Sequence, residues 1–301
     1  MTHEHTHSNR RRLAIALAII VVFLVVEIVG AVLSGSLALL GDAGHMFSDS
    51  LGLTIALIAT VIAARPANDR QTFGYQRAEV FGALINGSIL AVVALAVGIE
   101  GVRRLVAEEP PEVAGTAMLV VAAAGLAANV AALLVLHDRR DSSINMRGAY
   151  LEVLGDLIGS VLAIAASIVI VTTGFTKADA AASVAIALLI APRAFVLLRD
   201  VFRVLAQSVP ADISVATIRE HLGGVDGVVD VHDVHVWSIT SGSPVFSAHV
   251  VVEAEVFAEG RAGAMLRQFD YCLRDHFDVD HSTIQLEPIE HATHGSHQPH
   301  P

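Results

Sequence analysis

Four ionisable side chains carry the chemistry open to this sequence. His45 and Asp49 lie in GDAGHMFSDS (41–50), Glu152 and Asp156 in GAYLEVLGDLIGS (148–160). Each pair is four residues apart within an apolar run, so on a helix its members share one face. One imidazole and three carboxylates make a four-ligand set for a divalent cation. Tetrahedral N/O coordination suits zinc, and a set without thiolate disfavours copper(I). Leu40, Leu51, Val153 and Leu157 beside them offer no competing ligand. Gly41, Gly44, Gly52, Gly155 and Gly159 let backbones approach closely, as small residues do in membrane bundles. Two helices can then bring their paired ligands within about 2.0–2.2 Å of one ion.

A lone His or Asp in a membrane helix is explained equally well by a hydrogen bond to a neighbouring helix. Two pairs on separate runs are not, because polar groups at membrane depth are costly and mark pathways or sites. Asp42, near the outer end of its run, is open to three roles: capping, an exit path or ligation. Glu27 and Asn129 read as structural groups or as support behind the ligands.

The elements that position these residues are membrane spans. The chain has 301 residues, of which 54% are hydrophobic and only 16% charged, against about 25% charged in soluble domains. Six long apolar segments fall at roughly 13–33, 37–64, 78–106, 113–136, 147–173 and 178–199. Each reaches the ~20 residues that span a bilayer. The last is the weakest, with Asp179 and Ser183 near its start. The first follows Arg10, Arg11 and Arg12 and is too long for a signal peptide.

Orientation follows the arginines. Arg10–Arg12, Arg65, Arg70, Arg77, Arg139, Arg140, Arg147, Arg199 and Arg203 fall on one side, which is therefore cytoplasmic. Arg103, Arg104 and Lys177 fall on the other, beside Glu108, Glu109 and Glu112, and mark a membrane boundary. Both termini are cytoplasmic. Ser34-Gly35-Ser36 makes a short outward turn between the first two spans.

Beyond Ser208 the pattern changes. Residues 212–223 read as an amphipathic helix with Ile213, Ile218 and Leu222 on its apolar side. Residues 228–239 and 244–254 alternate like strands around the turn Ser241-Gly242-Ser243-Pro244. Residues 259–276 read as helix and 282–288 as a last strand. The expected domains are a His-rich tail (1–12), a six-helix membrane domain (13–207), a small α+β cytoplasmic domain (208–290) and a second His-rich tail (291–301).

The net charge of −11 excludes a nucleic-acid partner. The one cysteine, Cys272, excludes an intramolecular disulfide and a Cys-based zinc cluster. No H-E-x-x-H stretch exists, so a membrane metalloprotease is not expected. Seven histidines crowd the ends: His3, His5, His7, His291, His294, His297 and His300. They either collect metal weakly or belong to a solvated tail.

SLALLGDAGHMFSD (36–49), TFGYQRAEVFGALING (72–87), LEVLGDLIGS (151–160) and VHDVHVWSITSG (231–242) together resemble the cation diffusion facilitators, the zinc-exporting transporter family. The likeness runs over about residues 13–290. It implies six helices, a homodimer, a ferredoxin-like αββαβ cytoplasmic domain and exchange of metal for protons; the short tails and compact loops point to the cell (inner) membrane of a bacterium. It carries the transport site onto His45, Asp49, Glu152 and Asp156, the four residues found by spacing. It also favours a cytoplasmic metal site, for zinc, at His232, His249 and Glu287, the alternative being ordinary surface polar residues. His235, three residues from His232, falls on the opposite face of a regular strand, and beside Trp237 it packs or meets a partner protomer. Arg77 and Glu79 open the third span either as a solvated helix start or as an interlocking charge between protomers.

Two positions depart from the family pattern. Glu152 stands where many zinc-selective members have His, giving a harder site that tolerates cadmium, cobalt or manganese. Asn68, Gln71 and Tyr75, in the loop where some members bind metal, are poor ligands. The expected function is export of a divalent cation, zinc first, in exchange for protons. The alternatives are cadmium, cobalt or manganese as main substrate, or a membrane metal sensor or channel without proton coupling. Transport against a gradient separates the last from an exporter.

Overall fold

A computed structural model describes residues 18, 21–137, 144–279 and 281–292, with backbone alone at 53, 56, 57, 144–152, 291 and 292. Both His-rich tails lie outside these residues, apart from the backbone of His291 and Ala292. Six helices come first: α1 (Val21–Ser34), α2 (Leu37–Ala63), α3 (Arg77–Val106), α4 (Gly115–His137), α5 (Ile144–Thr173) and α6 (Lys177–Leu205). Within the described residues, α3, α4, α6 and the Val153–Thr173 part of α5 are each long and apolar enough to cross a membrane. The elements α7 (Val215–Gly223), β1 (Val228–Ser238), β2 (Pro244–Val252), α8 (Ala254–Ala258), α9 (Ala262–Phe277), β3 (His281–Pro288) and α10 (Ile289–Ala292) follow.

Contacts group the chain into two compact units. One runs up to Leu57 and resumes over Gly82–Leu198; the other joins Ile58–Phe81 to the chain from Arg199 onward. The helical unit has a core of small residues. Ala38, Met118, Ala122, Ala163, Ala166, Ile186 and Ile190 are buried together, while large side chains such as Val92, Leu95, Ile99, Leu134 and Leu188 face outward. That inversion suits lipid: association there relies on close backbone contact, not on hiding apolar surface from water.

Asp179 explains why the sixth apolar segment starts with a carboxylate. It is buried, and it accepts hydrogen bonds from Leu37 N (2.8 Å), Ala38 N (3.1 Å) and Ser36 Oγ (2.6 Å). A side chain of α6 thus caps the orphan N–H groups of α2. Arg104 Nη1 donates to Gly35 O at 3.1 Å and lies 3.7 Å from Asp179. Arg104 therefore fastens the α1–α2 turn, a closer role than marking a boundary. Gly35 turns that corner at φ 68°, a conformation suited to glycine.

The second unit contains a three-stranded sheet ordered β1-β2-β3, with β1/β2 antiparallel and β2/β3 parallel. A parallel neighbour needs a crossover, which α9 supplies. Ile218 and Leu222 of α7 and Met265, Phe269 and Leu273 of α9 bury their faces against Val231, Val236, Phe246 and Val250. The order α7-β1-β2-α9-β3 is the expected αββαβ arrangement, with α8 as an added turn. Helix α7 begins at Val215 behind an Ser214 cap, three residues later than its apolar pattern indicates.

One strand differs from the sequence reading. Register shifts between His232 and His235, where three steps of β1 match two steps of β2 (His249 to Ser247). Asp233 takes φ 52° at this bulge. The extra residue turns His235 back to the same face as His232, whereas a regular strand places them on opposite faces. Core-facing Val231 and Val236, five apart, show the same slip.

In the loop between α2 and α3, Asn68, Gln71 and Tyr75 bond to one another. Asn68 Oδ1 accepts from the backbone N–H groups of Arg70 (2.9 Å) and Gln71 (3.0 Å), and Asn68 Nδ2 donates to Tyr75 Oη (3.1 Å). Glu79, at the start of α3, accepts a hydrogen bond from Thr240 at 3.2 Å. It has an intrachain partner, which neither reading from sequence foresaw.

Candidate metal centre

Helix α2 sets His45 and Asp49 one turn apart, and α5 sets Asp156 on a facing helix. His45 Nδ1 lies 3.4 Å from Asp49 Oδ2, and His45 Nε2 lies 3.5 Å from Asp156 Oδ1. One ligand atom from each of the three falls within 4.8 Å of the others. About 3.4 Å separates two ligand atoms on a tetrahedral ion with bonds of about 2.0–2.1 Å; an ion takes only one nitrogen of the ring, so the carboxylate facing the other nitrogen has to shift to join the same ion. His45 and Asp156 are 8% and 4% exposed, Asp49 20%; the pocket is deep, with Asp49 at its more open end. Glu152 lies one helical turn before Asp156 on α5; its side chain is outside the described residues.

Arg193, on α6, was not singled out from the sequence. Its Nη1 donates to His45 Nε2 at 2.8 Å. A guanidinium only donates, so Nε2 is the accepting nitrogen and Nδ1 carries the ring proton toward Asp49. Gly155 makes this approach feasible, because a Cβ there would collide with Arg193 Nη2. The available signal was a lone charge in an apolar run, next to Pro192.

Asp42 is not a helix cap. It is buried more than a turn inside α2 and hydrogen-bonds to the buried Glu27 of α1. Gly159 of α5 leaves room for it, since a Cβ there would strike Asp42 Oδ1. Asn129 Nδ2 donates to Ser160 Oγ at 3.2 Å, tying α4 to α5.

In the second unit the sheet assembles His232, His249 and Glu287. His232 pairs with His249 across β1/β2, and Glu287 opposes Val251 across β2/β3. His249 Nδ1 is 2.8 Å from Glu287 Oε1, His232 Nε2 is 3.4 Å from Glu287 Oε2, and the two rings are 5.4 Å apart. Glu287 is 1% exposed, and Gln285 Nε2 donates to its Oε1 at 2.8 Å. A buried carboxylate between two imidazoles is an arrangement able to hold a divalent cation. His235 is 3.6 Å from Asp233 and half exposed.

Comparison with known proteins gives consistent matches. The family profile for the cation efflux transmembrane domain matches residues 13–206, and that for the cation efflux protein cytoplasmic domain matches 210–289. The metal cation efflux system protein CzcD of Cupriavidus metallidurans is 41% identical over 277 residues, covering 91% of this chain and 86% of the relative. A cadmium, cobalt and zinc/H(+)-K(+) antiporter of Bacillus subtilis is 38% identical, covering 89% and 86%. The zinc transporter ZitB of Escherichia coli is 38% identical, covering 88% and 83%. Among solved structures, the metal-bound C-terminal domain of the CzcD transporter is 35% identical, covers 25% of this chain and 99% of that one, and has a TM-score of 0.22.

Proposed function

The chain belongs to the cation diffusion facilitator family of divalent metal efflux transporters, and from that premise we propose that it exports zinc from the cytoplasm in exchange for protons. It is a membrane transporter and not an enzyme. The convergence of His45, Asp49 and Asp156 in one deep pocket of the helical unit carries the reading. These three, with Glu152, are the proposed transport ligands.

Binding needs deprotonated carboxylates and an open imidazole nitrogen, so metal and protons compete for one site. His45 Nε2 is the ligating nitrogen in this scheme, and Arg193 withdraws from it as the ion enters. On the outward-facing side, reprotonation of the carboxylates releases the ion and Arg193 returns to Nε2. Rocking of helices around a fixed site alternates access. The protein acts as a homodimer in the cell (inner) membrane with both termini inside, and zinc at His232, His249 and Glu287 reports cytoplasmic metal. The names of the B. subtilis and E. coli relatives, one an antiporter and one a zinc transporter, support this reading.

Glu152 favours a second reading in which manganese or cobalt is carried as readily as zinc, since three carboxylates make a harder site, an argument that does not extend to the softer cadmium. Proteoliposome flux decides both points. Zinc uptake driven by an imposed pH gradient, with proton movement in the opposite direction, is the expected outcome. Uptake indifferent to the pH gradient defeats the antiport mechanism, and a faster manganese or cobalt flux replaces zinc as substrate.

A further inference from the structure

The only thiol of the chain lies between two imidazoles. Cys272 Sγ is 3.7 Å from His221 Nδ1 and 3.7 Å from His276 Nδ1. His221 is in the last turn of α7; Cys272 and His276 are i and i+4 in the last turns of α9. All three ligand atoms fall within 4.8 Å of one another. A tetrahedral zinc with Zn–S of about 2.3 Å and Zn–N of about 2.0–2.1 Å sets S and N about 3.6 Å apart.

We propose that His221, Cys272 and His276 form a separate binding site for a thiolate-preferring divalent cation, zinc or cadmium, on the surface of the C-terminal unit. The site goes beyond the transport reading and does not depend on it. None of its three residues belongs to the pocket at His45 or to the cluster at Glu287.

Ring packing alone accounts for part of the arrangement. His221 meets His276 edge-on at 5.2 Å and Phe277 at 5.4 Å. Packing does not explain why both rings turn Nδ1 toward the same sulfur. The far nitrogen of His276 lies 3.6 Å from Asp275 Oδ2, the kind of carboxylate partner that orients a ligating imidazole. Both histidines are exposed and the thiol is half-buried, so an ion can enter from water and a fourth position stays open. A redox role lacks a second cysteine. Burial, followed by the charge of Asp275, pushes the thiol above its ordinary range, which disfavours a reactive thiolate in the metal-free protein.

The mixed donor set separates this site from the other two. Neither of those contains sulfur, and thiolate favours softer ions over manganese or magnesium. Such a site distinguishes zinc and cadmium from harder cytoplasmic cations.

The single cysteine makes the test specific, since any thiolate–metal signal from the full chain arises at Cys272. Cobalt titrated into the detergent-purified full chain should give a thiolate-to-cobalt charge-transfer band with the visible bands of a tetrahedral ion. Cys272→Ser should abolish the charge-transfer band. His221→Ala and His276→Ala should each weaken binding at least about tenfold, the floor for removing even an outer partner of a ligand. His232→Ala/His249→Ala and Asp49→Ala should leave the band intact. As a check on the native chain, zinc should protect Cys272 from maleimide, and His221→Ala should remove that protection. No charge-transfer band at saturating cobalt, or a band and protection indifferent to both histidines, overturns the site. Zinc flux from the same preparation separates the two readings: lost flux with a retained band counts against transport alone.

Discussion

Arg193 donates to His45 Nε2 at 2.8 Å, through the space beside Gly155 where a side chain would not fit. The guanidinium thus takes the lone pair that a metal would use, and brings a positive charge to a pocket holding Asp49 and Asp156. Incoming metal must displace it. Arg193→Gln should therefore tighten metal binding by about tenfold, or about 1.4 kcal/mol. Cobalt or zinc titration of the full chain measures this. Unchanged or weaker binding rules out displacement as part of the cycle.

Removal of a ligand has the opposite sign. Asp49→Ala and Asp156→Ala should each cut zinc flux on the order of a hundredfold, because outer partners of a metal ligand already cost about 10–100-fold. Proteoliposomes containing equal amounts of folded protein are the required comparison. Near-native flux in either variant removes that residue from the ligand set.

The approach of His45, Asp49 and Asp156 to one another was legible in the sequence because i,i+4 spacing within apolar runs constrains position; the side chain of Glu152 lies outside the described residues. Arg193 was not legible, since the arginine tally followed loops and this residue lies inside a span. His235 departs from its expected face for a different reason: alternation assumes a regular ladder, and the bulge at Asp233 shifts every later residue to the other face. The Cys272 cluster was missed because counting cysteines says nothing about histidines that α7 and α9 bring to the same sulfur. Asp179 looked like a flaw in a span, and its role appeared only when its partners on α2 were known.

The cap supplied by Asp179 should matter for stability more than for chemistry. Asp179→Ala deprives Leu37 and Ala38 N–H of their acceptor in a buried setting. A loss of about 2 kcal/mol is expected, at the upper end for an N-cap. Thermal unfolding of the purified protein should show it, with Asp179→Asn losing less. A variant as stable as the native chain means that backbone or lipid groups replace the cap.

The cytoplasmic cluster predicts a metal-dependent gain in stability. Glu287 already meets His249 at 2.8 Å and His232 at 3.4 Å, so zinc should enter a largely formed site. A ligand present at about 100 times its dissociation constant stabilises by about 2.7 kcal/mol. Zinc should raise the unfolding temperature of the native chain, and chelator should reverse the rise. His232→Ala/His249→Ala should lose most of it while Cys272→Ser keeps it. An equal rise in the double variant assigns the effect to another site.

Glu152 is the residue proposed to set selectivity. It stands one turn before Asp156, so a His there would face the same ion from the same helix. Glu152→His exchanges a hard oxygen donor for imidazole and removes one negative charge. Manganese depends most on oxygen donors and on charge, whereas zinc accepts a two-nitrogen, two-oxygen set. The ratio of zinc to manganese flux should therefore rise by about tenfold, equivalent to about 1.4 kcal/mol of discrimination. Zinc flux itself should survive, unlike in Asp49→Ala. Competition between the two metals in one proteoliposome assay reads the ratio directly and cancels differences in protein content. A ratio that does not move would mean that Glu152 does not touch the ion, and that three residues, His45, Asp49 and Asp156, hold it with water completing the shell.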